Sequence, residues 1–124
     1  MIHKTRKTMH DGQEYYIFQL SLDDLDSEHM RAKLYGWIRA EFNSLPRGVP
    51  ILVDLRNIEA LDITGAFAIH NLYQAFTRNH PVFLMLSTAV DDFFKRRVSF
   101  NWDPQLVHDK DQFERLWHNK KKPS

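Results

Sequence analysis

The residues best placed to do chemistry stand in one short run, Asp62-Ile63-Thr64-Gly65, between the strand-like PILVDLRNIEAL and the helix-like AFAIHNLYQAF. Asp62 occupies the position of a helix N-cap, where a carboxylate accepts hydrogen bonds from amides two and three residues on, near Thr64 and Gly65. Those amides otherwise lack partners. Gly65 lets a second backbone approach closely, and Thr64 sets a small hydroxyl at the positive end of the helix dipole, where an added phosphate is tolerated. A join of this kind is a natural docking point; its plainer reading is a well-capped helix with a glycine in the first turn. Two further polar groups belong at the same end of the sheet: Asp23, Asp24 and Asp26 before an earlier helix, and Ser87 and Thr88 after a later strand. They could ring the join, or simply compensate a helix dipole and cap the next helix.

Other chemistries find less support. The seven histidines, His3, His10, His29, His70, His80, His108 and His118, show neither His-x-His nor His-Glu-x-x-His spacing, so they read as surface or helix-face residues and no metal site is expected. Glycine-rich nucleotide loops and the Gly-x-Ser-x-Gly elbow are missing, so neither a cofactor nor catalysis is expected. The stretch DDFFKRRVSFNW mixes Phe93, Phe94, Phe100 and Trp102 with Lys95, Arg96 and Arg97, a combination that meets acidic partners, lipid headgroups or single strands. Packing explains most of it, with Phe93 or Phe94 and Val98 turned to the core and the cations in water.

Composition sets the outer limits. A chain of 124 residues suits one domain spanning 1–124, and at that length roughly two-thirds of the unfolded surface can be buried. Hydrophobic residues make up 43% and aromatics 13%, enough to offset the entropy of ordering. Seventeen Lys plus Arg against sixteen Asp plus Glu leave a formal charge of +1, far from a dedicated nucleic-acid binder. Cysteine is absent, which excludes disulfides and thiol chemistry and suits a reducing compartment, with the cytoplasm the expected location. Neither a signal-peptide core nor a bilayer-spanning run is present, so membrane insertion is not expected.

The elements that must position these residues follow from periodicity and breakers. EYYIFQLSL, residues 14–22, reads as a strand that pairs with residues 2–9 across Asp11-Gly12. In LDDLDSEHMRAKLYGWIRAEFNSL, Asp26 or Ser27 can cap a helix whose Met30, Leu34, Trp37, Ile38 and Phe42 share one face, and Pro46-Arg47-Gly48 ends it. VPILVDL is almost wholly apolar, as a central strand covered on both faces should be. Ile69, Leu72, Tyr73 and Phe76 recur at helical spacing until RNHP, and VFLMLS, residues 82–87, is a second buried strand. A helix over 89–98, a short strand over 105–107, a last helix over 110–118 and a flexible polar tail over 119–124 complete the order. The expected fold is α/β: a mixed, mostly parallel sheet of four or five strands flanked by four helices.

This pattern resembles the STAS domain, the family of anti-sigma-factor antagonists and of regulatory domains of sulfate-type transporters and lipid-transport ABC systems. ILVDLRNIEALDITGAFAIHNLY is similar to the family's core segment of apolar strand, Asp-Leu, spacer, apolar-Asp-x-Ser/Thr-Gly and amphipathic helix. LSLDDLDSEHMRAKL resembles the preceding strand-to-helix passage, and VFLMLSTAVDDFFKRR the following strand, Ser-x-x-Val turn and helix. The resemblance implies docking of a protein partner through the join and its neighbouring loops, with phosphorylation there as the usual off switch. The family's phosphoacceptor normally follows the aspartate directly, and here that position is Ile63. Either Thr64 takes phosphate one residue late, about 100° further round the helix, or the surface is a constitutive apolar contact.

Three functions therefore stand open: a regulatory module docking an anti-sigma-factor kinase or similar switch protein, a soluble accessory subunit of a membrane transporter that meets an ABC-type ATPase, and an enzyme without a recognisable motif. Self-association is a further expectation, because an N-terminal strand at the edge of a sheet can pair with a copy of itself.

Overall fold

The computed structural model describes residues 2–9, 11–21, 27–59, 62–97 and 105–121. Five strands and four helices alternate as β1 (His3–Thr8), β2 (Glu14–Gln19), α1 (Glu28–Ser44), β3 (Ile51–Leu55), α2 (Ile63–Thr77), β4 (Val82–Leu86), α3 (Thr88–Arg97), β5 (Gln105–Val107) and α4 (Lys110–Lys121). The strands lie in sequence order in one sheet, with β1 and β2 antiparallel and every later pair parallel. The expected α/β fold, a mixed and mostly parallel sheet with four helices, is the fold of this chain.

Local chemistry explains the joins. The β1–β2 turn closes through Met9 N to Gln13 O at 2.8 Å and Gly12 N to Met9 O at 3.0 Å, while the Asp11 carboxylate accepts from Gln13 N at 2.9 Å. Gly12 sits at φ +88°, in the left-handed region that a side chain disfavours, which is why Asp-Gly makes this hairpin. Ser27 caps α1, its Oγ accepting from Met30 N at 3.1 Å; Asp26, and with it Asp23 and Asp24, lies outside the described residues. Leu34 and Ile38 of α1 are buried and Trp37 is half-buried, as their spacing requires, while the side chain of Phe42 is also outside the described residues. The last helix continues to Lys121, three residues beyond His118 and into the run expected to be a tail.

Crossovers of one hand between sequential parallel strands leave their helices on one side of the sheet. Accordingly Ile51, Val53 and Leu55 of β3 share a core with Leu34, Leu72, Phe76 and Phe94 of the first three helices. Leu52 points the other way, into a smaller core with Tyr15, Phe83, Met85, Val107 and, from α4, Phe113. β3 is buried at all five positions, so its continuous apolar run does mark the central strand.

One histidine departs from expectation. His80 is only 4% exposed. The RNHP turn packs against the start of β3, with Gly48 N donating to Asn79 O at 3.0 Å and Ile51 N to Pro81 O at 2.8 Å, and the imidazole fills the space between them. Its Nδ1 lies 3.0 Å from Val49 O; a carbonyl only accepts, so Nδ1 carries the proton. Burial lowers the pKa of this ring below its ordinary 6.5, the bond to Val49 opposing only part of the effect. Unfolded, the ring takes up its proton near that ordinary value; folded, it does so only at lower pH. The stabilisation is therefore complete above pH 6.5 and is lost as pH falls below it. Urea midpoints measured from pH 7.5 to 5 should fall on the acid side for the wild type and fall less for His80→Asn, which keeps a donor for Val49 O but cannot titrate.

Candidate functional site

The join identified in the sequence lies at the carboxyl end of β3, the edge where open parallel sheets hold their binding sites. Asp62 is extended (φ −97°, ψ 176°) and is the N-cap of α2: its Oδ1 accepts from Gly65 N at 2.7 Å, and its carbonyl accepts from Ala66 N at 3.0 Å. Of the two amides considered from sequence, Gly65 supplies the bond. Removing the cap by Asp62→Ala should cost about 1 kcal/mol, read as a lowered urea midpoint with unchanged slope.

Beyond the cap the helix has two unlike sides. Gly65, Ala66, Ala68, Ile69, Leu72 and Phe76 are buried and fix α2 to the sheet. Ile63 is 53% exposed and Phe67 46%, one turn apart on the outer side, with Thr64 exposed beside them. Asn71, a further turn along, donates from Nδ2 to Tyr35 Oη of α1 at 3.3 Å, which brings a third partly exposed large side chain to the same surface. Phe67 and Tyr35 were not foreseen, although Phe67 falls four residues after Ile63 and off the stripe of Ile69, Leu72 and Phe76. An apolar pair on the wrong side of an amphipathic helix is the signal that identifies it.

The second loop at this end joins the first by one hydroxyl. Ser87 Oγ donates to Ile58 O at 2.6 Å and accepts from Val90 N at 3.2 Å, so it ties the segment after β3 to the start of α3. Ser87 is half-buried and spent on this bridge, whereas Thr88 is exposed at the first position of α3. Ser87→Ala leaves a carbonyl and an amide short of a partner, which should lower stability by about 1–3 kcal/mol in chemical denaturation.

A feature missed in the sequence sits on the opposite side of β3. Asp54 is 6% exposed, and both its oxygens are held by Arg56: Oδ1 by the backbone N and Nε, Oδ2 by Nη2, each at 3.0 Å. The hydrogen bond to Asp54 raises the guanidinium pKa further above its already high value, so the fork stays charged. It closes the turn that leads toward the join. Below it lies a cavity of about 420 Å³ whose wall carries Arg56 and Lys110 beside Asp54, Asp109 and Asp111. An Asp-x-Arg pair at the end of an otherwise apolar strand was the available clue.

In the basic aromatic segment Phe94 is buried and Phe93 half-buried, while Lys95 and Arg96 are exposed and Lys95 Nζ pairs with Asp91 Oδ2 at 2.9 Å. The arrangement is that of an ordinary surface helix; Val98, Phe100 and Trp102 lie outside the described residues. Among the described residues no group of three or more His, Cys, Asp or Glu could hold a metal ion, and no helix is long and apolar enough to cross a membrane. No protein-family model matches the chain, and no curated protein matches it.

Proposed function

We propose that this chain is a STAS-like regulatory domain, without catalysis of its own, that docks an anti-sigma-factor kinase or a related switch protein through the start of α2, acting in the cytoplasm. The observation that carries this reading is the exposure of Ile63 and Phe67, 53% and 46%, on the outer side of a helix whose first turn is fixed by Asp62. A rigid helix start that presents apolar anchors fits a partner groove with little conformational entropy left to lose. The order of elements accords with the resemblance in the sequence.

With an isoleucine where the family carries its phosphoacceptor, the contact is constitutive, and Thr64 is a bystander at its rim. Affinity capture from native cell extract, followed by mass spectrometry, tests this reading with wild type, Ile63→Asp and Thr64→Ala. The expected result is a kinase-fold partner held by wild type and Thr64→Ala and lost from Ile63→Asp. Equal capture by all three removes the join from the function, loss from Thr64→Ala assigns it a phosphoswitch, and an ABC-type ATPase as the captured protein moves the domain to the transporter branch.

A further inference from the structure

β1 is the open edge of the five-stranded sheet, and all six of its residues, HKTRKT, are exposed. In an antiparallel pair only alternate residues exchange hydrogen bonds with the neighbouring strand, so the outer side of β1 offers N–H and C=O groups that no other strand among the described residues takes up. The register sets Lys4 opposite Phe18 and Arg6 opposite Tyr16, on the side of the larger core, and His3 and Lys7 on the other side. Cationic side chains thus flank the free backbone on both faces. Lys4 is the most engaged, 2.7 Å from Glu41 of α1 and 5.0 Å from the centre of the Tyr16 ring. Arg6 is 4.0 Å from Glu14 and 66% exposed, and Lys7 meets no acid among the described residues.

These charges choose the occupant. Two copies of β1 meeting edge to edge antiparallel keep the same face of both sheets upward, so only residues of one face stand opposite each other. The two most central registers put Lys4 opposite Arg6, or Arg6 opposite Arg6. Like charges directly opposite are destabilising, so the edge rejects the self-pairing that its position alone would suggest. An extended acidic segment meets the reverse condition in every one of these registers.

We propose that β1 takes up an extended, acidic segment of a partner protein as an added edge strand, its main chain bonded to β1 and its carboxylates set against Arg6, Lys7 and Lys4. Backbone bonding supplies the geometry, and the cations select the sequence.

The probe is a short fluorescein-labelled peptide in which Asp and Glu alternate with Val and Thr, titrated into the full chain at low salt and followed by anisotropy and by ¹⁵N amide shifts. Binding should move the amides of residues 3–8 and should fail for a proline-interrupted peptide of equal charge, which lacks the donors for a ladder. Arg6→Glu with Lys7→Glu should weaken the acidic peptide by about tenfold and gain a Lys-for-acid peptide, a rescue that an unfolded variant cannot show. Absence of binding, equal affinity for the proline-interrupted peptide, shifts elsewhere than β1, or dimerisation of the chain through the same amides would each overturn the assignment.

Discussion

Replacing Ile63 and Phe67 together by Asp is expected to weaken partner binding by a factor of several hundred while leaving the domain folded. The two side chains lie outside the buried set: both are about half exposed, whereas Gly65, Ala66, Ile69 and Leu72 between and beyond them hold the helix to the sheet. Asp at the first helical position is compatible with the dipole, and at the fifth costs roughly 0.5 kcal/mol in propensity. Apolar anchors at the centre of an interface are each worth about 2 kcal/mol or more, so losing two amounts to about 4 kcal/mol, or a factor of several hundred to a thousand. Titration of the purified partner by calorimetry reads the loss. A thermal midpoint within a few degrees of wild type shows that folding is not its cause.

Phe76→Ala is expected to do the reverse, removing a large share of the stability without touching the exposed surface. The ring is fully buried in the larger core, 5.5 Å between centroids from Phe18 of β2 and 6.3 Å from His80. It joins the end of α2 to the sheet and to the buried histidine at once, so no single neighbour can move into the space it leaves. Truncating a buried Phe costs about 3–5 kcal/mol, against a total of about 5–15 kcal/mol for a domain. For a domain of about 10 kcal/mol, urea denaturation should show a midpoint lowered by about a third to a half. A midpoint near wild type would mean that α2 is not anchored as its buried face indicates.

The elements were legible where one force acted alone. β3 is buried on both faces, so ILVDL had to be apolar except where Asp54 has Arg56 for a partner; α2 has one buried side, so Ile69, Leu72 and Phe76 had to recur at helical spacing. Ser27, Asp62 and Ser87 were readable as caps because a helix start always needs an acceptor for its first amides. Tertiary placement was not readable. His80 gives no local sign of burial, since its pocket is made by a turn and a strand start 31 residues apart in the chain. Asp54 left only a partial sign, an Asp-x-Arg pair in an apolar strand, because its fork with Arg56 depends on how the turn after β3 folds back. At the join, sequence located the cap and the apolar Ile63 next to it. The neighbouring exposure of Phe67 emerged only once the outer side of α2 was known. The same holds for β1: a basic strand was visible, but its place at an edge belongs to the sheet.

The central claim, that the outer side of α2 is the face a partner occupies, is tested most directly by photo-crosslinking in living cells, with a photoreactive amino acid placed in turn at positions 63, 67 and 116. Leu116 is a fair control because it is also partly exposed and apolar but belongs to α4, on the far side of the sheet. The expected result is one and the same kinase-fold protein linked through 63 and 67 and not through 116. Crosslinks through 116 alone, or none through 63 and 67, would contradict it.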